Sequence, residues 1–265
     1  MPRWLYLVAC LLVAAGWTPA EEWSQVFPVT GVPEVRIKVN GGHVGVTPGS
    51  SAEVRVTVEA RGYQRDRDYQ VRPHQSANRI EVEVERTEQG GFALLPDRSL
   101  RVKVSVPGRS NLEVESDDGD LSLAGINGSV KARTGDGHIS AYNMEGTLEL
   151  KSGGGHITAE LVRGSLAAHA GDGDVTARGR FEGLQVETGD GAVSLRVEPG
   201  STMRGHWNVR TGDGAIHLAL PDDLAADLDA SASDGRIHSE FPGTVQTSGN
   251  RSSFRAKLNG GGNLL

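Results

Sequence analysis

Ser116-Asp117-Asp118-Gly119 opens a phrase that returns as Thr134-Gly135-Asp136-Gly137, Ser152-Gly153-Gly154-Gly155, Ala170-Gly171-Asp172-Gly173, Thr188-Gly189-Asp190-Gly191, Thr211-Gly212-Asp213-Gly214 and Ala232-Ser233-Asp234-Gly235. The closing glycines of the first five copies stand 18 residues apart, and the last two steps are 23 and 21. Self-similarity at a fixed period of this size marks a repeat architecture. The flanks repeat with the phrase. The second and fourth residues after each glycine are apolar: Leu121 and Leu123, Ile139 and Ala141, Ile157 and Ala159, Val175 and Ala177, Val193 and Leu195, Ile216 and Leu218. Successive strand side chains point to opposite faces, so this spacing predicts a strand with one inward face. Half a period later comes a second glycine (Gly128, Gly146, Gly164 and, slipped by one, Gly183), preceded by Ile126, Met144, Val162 and Phe181. A second alternating run follows it, from Val130 and Ala132 to Leu184 and Val186. Each unit is therefore two short strands and two glycine turns.

Equivalent positions recur once per unit, so stacking like on like gives parallel, in-register strands about 4.8 Å apart over one dry core. The expected fold is all-β: a parallel β-solenoid of about seven short rungs of roughly 18 residues behind an N-terminal β cap. Loops this short also suit hairpins, and an antiparallel β-meander is the alternative. The chain divides into a signal peptide (1–20), an N-terminal β cap with a first degenerate rung (21–110) and the glycine-rich solenoid (111–265). In the cap, alternation predicts strands at Val35–Val39, Val54–Val58, Ile80–Val84 and Leu100–Val106. Asn40-Gly41-Gly42-His43-Val44 echoes Gly155-His156-Ile157 and supplies the degenerate rung. The polar stretch from Gly62 to Asn78 reads as an exposed loop.

Met1-Pro2-Arg3, an apolar run from Trp4 to Trp17 and the small Ala20 have the layout of a secretory signal cleaved after Ala20. The run is shorter than the roughly 20 residues of a membrane span, so the mature chain is expected to have no transmembrane segment. The expected location is the periplasm or cell surface. Leu7-Val8-Ala9-Cys10 is similar to a lipobox, which would make a lipoprotein, but Cys10 sits in the middle of the apolar run and the soluble reading is preferred. Once Cys10 leaves with the signal, the chain has neither disulfides nor thiolate chemistry. A net charge of −7 without a basic stripe argues against nucleic acid as a partner.

The turn residues Asp118, Asp136, Asp172, Asp190, Asp213 and Asp234 stack into an acidic ladder. Turn chemistry explains it, aspartate capping local amides and glycine supplying positive φ. Weak Ca2+ binding is the second reading, because the 18-residue turn is similar to that of calcium-binding β-rolls. There, however, the aspartate follows its glycine by two residues. Directly after the phrase glycine, facing outward, come Asp120, His138, His156 and Asp174, residue types that can ligate Zn2+ or Cu2+. Plain surface residues are the competing reading for this column, and no cofactor is expected beyond weak Ca2+ or Zn2+. The next outward column is hydroxyl-bearing, from Ser122 through Ser140, Thr158 and Thr176 to Ser194. On the other strand, Lys131, Arg133, Glu149, Lys151, His169, Gln185 and Glu187 make a mixed-charge face. No serine lies in the strand-turn-helix setting of a nucleophile elbow.

The strand ending Val102-Lys103-Val104-Ser105-Val106-Pro107, the Ser/Thr-x-Asp-Gly-x-Ile units, Leu220-Pro221 and Asn259-Gly260-Gly261-Gly262 together resemble the bacterial "putative adhesin" family of exported β-strand-repeat proteins, over residues 34–265. That resemblance implies a β-solenoid at the cell envelope and brings no catalytic residues with it. The expected function is a non-enzymatic exported scaffold or adhesin-like protein that meets an envelope protein, a glycan or a surface. A polysaccharide-acting enzyme of parallel β-helix type and a calcium-stabilised β-roll are the alternatives.

Overall fold

The computed structural model describes residues 21–87, 98–204, 207–239, 244–248 and 251–259. The expected signal peptide with Cys10 and the segment Gly260-Gly261-Gly262 lie outside the described residues. Every regular element among the described residues is a strand. The first part of the chain forms β1 (Glu21–Pro28), β2 (Glu34–Val39), β3 (His43–Pro48), β4 (Glu53–Arg61), β5 (Tyr69–Ser76), β6 (Arg79–Arg86) and β7 (Ser99–Val106). The repeats form β8 (Asn111–Ser116), β9 (Leu121–Ala124), β10 (Asn127–Thr134), β11 (Ile139–Tyr142), β12 (Glu145–Ser152), β13 (Ile157–Ala170), β14 (Val175–Thr188), β15 (Val193–Val197), β16 (Trp207–Thr211), β17 (Ile216–Ala219), β18 (Ala226–Ala232) and β19 (Ile237–Ser239). β20 (Thr244–Ser248) and β21 (Arg251–Leu258) end the series.

In the repeats each strand pairs in parallel with its equivalent one unit away and not with its chain neighbour: Lys131 faces Glu149, and Ser140 faces Thr158. That register excludes the meander there and gives a solenoid-like coil with two faces. The first face runs β6, β2, β8, β10, β12, β13, β14, β16, β18, all parallel. The second runs β7, β3, β9, β11, β13, β14, β15, β17, β19, also parallel. β13 and β14 serve both faces because they bend through the second corner without a break, with register shifts between Glu160 and Val162 and between Gly164 and Ser165. At that second shift Gly183 comes to face Ser165, which is the one-residue slip read from the sequence. The predicted inward columns are all buried, from Leu121 and Leu123 to Ile216 and Leu218, as are Ile126, Met144, Val162 and Phe181 behind the second corner.

The ends are closed by antiparallel strands. β4 lies on β7 and β1 on β4, β5 lies on β6, and β21 with β20 covers β18. Two expectations need correcting here. The segment read as a loop contains β5, an edge strand held by the buried Tyr69 and otherwise largely exposed, which is why no alternation betrayed it. β2 and β3 sit between β6/β7 and β8/β9, so parallel stacking reaches back into residues 79–106, within the expected cap.

The phrase glycines also act differently from expectation. Positive φ belongs to the second corner, where Gly146 and Gly164 have φ of +117° and +125°. Leu161 shares that corner with φ of 54°, a costly conformation for an exposed leucine. At the phrase corner the demand is for space. A Cβ on Gly137 would collide with the carbonyl oxygen of Gly119, one on Gly155 with that of Gly137, and one on Gly173 with that of Gly155. Gly191, Gly214 and Gly235 continue the series.

Gly173→Ala is therefore expected to cost about 3 kcal/mol, as severe overpacking does. Gly45→Ala, at a strand glycine with open space around it, should change stability by no more than about 0.5 kcal/mol. Urea unfolding of the two variants checks the contrast.

Candidate functional site

The corners decide which side chains are free. The Ser/Thr at the head of each phrase is buried and bridges two turns of the coil. Thr134 Oγ1 donates to Gly119 O, Ser152 Oγ to Gly137 O, Thr188 Oγ1 to Gly173 O and Thr211 Oγ1 to Gly191 O, each at 2.8 Å. The same oxygen accepts from its own turn: Gly155 N–H donates to Ser152 Oγ at 3.0 Å, and Gly214 N–H to Thr211 Oγ1 at 3.1 Å. These hydroxyls satisfy amides and carbonyls that the tight corner would otherwise bury unpaired. Ala170 and Ala232 occupy the same position without a hydroxyl. The turn aspartates Asp118, Asp136, Asp172, Asp190, Asp213 and Asp234 are exposed beside this seam.

The residues singled out after each phrase glycine do lie in one column on the second face. His138 N–H donates to Asp120 Oδ1 (2.9 Å), His156 N–H to His138 Nδ1 (2.9 Å), Asp174 N–H to His156 Nδ1 (2.8 Å) and Ala192 N–H to Asp174 Oδ1 (2.8 Å). Each side chain thus accepts the backbone N–H one turn on. The carbonyls at these positions take the sheet bonds, His138 O from Leu121 N–H and His156 O from Ile139 N–H. Aspartate and histidine can both serve as the acceptor, which explains why both occur in the column. The rings of His138 and His156 stack 5.1 Å apart and 5° from parallel.

This geometry does not suit the zinc or copper reading. The lone pair on each Nδ1 is engaged by an amide, and parallel rings aim their remaining nitrogens side by side and not at a common point. Among the described residues no three His, Cys, Asp or Glu side chains converge closely enough to hold a metal ion. A residue missed from the sequence extends the column: His43 on β3 sets its Nδ1 3.3 Å from Asp120 Oδ2. The echo of Gly155-His156-Ile157 in Gly42-His43-Val44 carried that signal.

On the first face, the mixed-charge residues form two parallel columns along the coil. Glu149 links Lys131 (3.8 Å) and Lys151, and His169 Nδ1 lies 3.6 Å from Glu187. The hydrogen bond from Lys151, aided by the charges of Lys151, Lys131 and Arg133, holds the Glu149 carboxyl below the usual value against a smaller opposing effect of burial. Arg210 and Asn208, two further members of these columns, follow from the 23-residue step between Thr188 and Thr211. Among the described residues no helix is long and apolar enough to cross a membrane.

Two outcomes test these ladders. Ala170→Thr supplies the absent hydroxyl and is expected to raise stability by about 1 kcal/mol in urea unfolding. For His138 and His156, whose Nδ1 atoms accept backbone amides, 15N NMR is expected to show the Nε2–H tautomer of the neutral rings. His138→Leu should cost about 1 kcal/mol, while His138→Asp, which keeps an acceptor, should cost less.

The chain is similar to several solved proteins, all distantly. A "putative cell adhesion protein" from Clostridium sporogenes ATCC 15579 is 11% identical, with 82% of this chain and 97% of that one covered and a TM-score of 0.33. A "putative adhesin" from Parabacteroides merdae ATCC 43184 is 11% identical over 83% and 97% of the two chains, with a TM-score of 0.39. A "putative lipid binding protein" from Parabacteroides distasonis ATCC 8503 is 11% identical over 82% and 97%, with a TM-score of 0.38. No curated protein matches the sequence. The family model described as Toastrack DUF4097 matches residues 32–262, which span β2 to β21, and the chain belongs to that family.

Proposed function

We propose that the chain is a non-enzymatic exported scaffold, of about seven turns of roughly 18 residues behind an N-terminal β cap, whose faces bind a glycan, a protein or a surface of the cell envelope. One observation carries this reading: the outward side chains best suited to chemistry are already engaged in holding the coil together. The Nδ1 atoms of His138 and His156 and the Oδ1 atoms of Asp120 and Asp174 accept backbone amides of the next turn. A lone pair committed in this way is not available as a general base or a metal ligand. The faces repeat at strand spacing along the coil, a geometry that favours an extended partner over a small reactant enclosed in a cleft. The signal-like residues 1–20 support delivery to the envelope.

The scaffold and the polysaccharide-acting enzyme differ in one measurable outcome. Mature chain (21–265) is incubated with purified envelope glycans and with intact envelope fragments while binding and reducing-end release are followed together. Saturable binding without release of oligosaccharide is expected. Oligosaccharide release above that of heat-unfolded protein overturns the proposal in favour of an enzyme, and absence of saturable binding overturns it outright.

A further inference from the structure

We infer that the first face carries a binding site for a carboxylate-bearing saccharide, centred on Ala167. This deepens the binding reading above and rests on it. In one outward column Glu149, Ala167, Gln185 and Asn208 follow one another on adjacent strands, and in the column beside it Lys151, His169, Glu187 and Arg210 do the same. Long side chains make each column a wall along the coil. At Ala167 the first wall is interrupted, which opens a depression of about 450 Å3 floored by Ala168 and Val186.

The charges in the depression are unequally committed. Glu149 is paired with Lys131 and Lys151, while Glu187 lies 3.6 Å from His169 Nδ1 and faces Arg210 on the neighbouring strand. Arg210 has no carboxylate within ion-pair distance among the described residues, although it lines the same depression. The depression therefore presents an uncommitted guanidinium beside the two amides of Gln185 and Asn208. A guanidinium fork matches a planar carboxylate with two parallel hydrogen bonds. Side-chain amides offer both donors and acceptors, the pattern that vicinal hydroxyls need. A peptide fits less well. The strands under the depression are hydrogen-bonded on both sides, so an extended chain finds no free edge on which to add a strand.

The test uses the mature chain and four probes at one ionic strength: galacturonate, trigalacturonate, maltotriose and inorganic phosphate. Titration calorimetry is expected to show saturable binding of trigalacturonate, and 15N NMR a selective shift of the Arg210 Nε–H. Arg210→Gln, and Ala167→Gln, which rebuilds the wall in the manner of Gln185, should each lower the affinity at least tenfold. Ser140→Ala on the other face should leave it unchanged. Unaltered melting temperatures will show that the variants are folded. A trimer bound more tightly than the monomer identifies a polysaccharide as the occupant, and equal affinities identify a free sugar acid. No saturable binding of either uronate, equal binding of maltotriose or phosphate, or full affinity in both variants overturns the inference. Envelope material bound equally well by both variants would leave the scaffold reading standing and remove only this site.

Discussion

The structure depends on one close approach: the backbone of each phrase glycine resting on the carbonyl of the glycine one turn earlier. Nothing larger than hydrogen fits between them, so the corner sets how tightly successive turns stack. The buried Ser/Thr hydroxyls then link the turns through the same carbonyls. A corner of this kind tolerates change beside it but not in it. Asp118, Asp136 and Asp172 therefore vary freely with Gly154, which fills the aspartate position in one copy, while every copy keeps its final glycine.

The same economy governs the faces. At His138, His156, Asp174 and Ala192 the backbone N–H of one turn is satisfied by a side chain of the turn before, and an acceptor is needed wherever that pairing is used. Asp120, His138, His156 and Asp174 meet this need, and their exposure adds solubility to a face otherwise lined by hydroxyls. On the opposite face the charged columns are less tied to the backbone, and it is there that an interruption such as Ala167 leaves side chains with unused capacity.

Much of this was legible in the sequence because a coil repeats its mistakes as faithfully as its rules. The phrase period gave the register, and the alternation after Gly137 and Gly155 gave the inward columns residue by residue. What was not legible has physical reasons. β5 is an edge strand whose single buried anchor, Tyr69, leaves no pattern to read. The role of the phrase glycines was not legible because lack of space and positive φ both select glycine, and sequence does not separate the two. The histidine column suggested a metal because residue type alone does not reveal which lone pairs are already engaged. Arg210 was overlooked because an inserted loop stretches one repeat to 23 residues, and the mixed-charge column has to be carried across that step to reach it.

The placement of β2 and β3 between β6/β7 and β8/β9 has a consequence for assembly. A coil whose turns follow chain order can grow by adding one turn at a time as the polypeptide emerges. Here the turn made by β2 and β3 gains its neighbour on one side only after residue 106 has been synthesised, and on the other only with β8 and β9. The chain from β2 to β9 must therefore close as a cooperative unit over long sequence separations, a slow step, before the 18-residue turns add rapidly to it. While the chain is incomplete, the waiting β2 and β3 edges are the segment most exposed to mispairing.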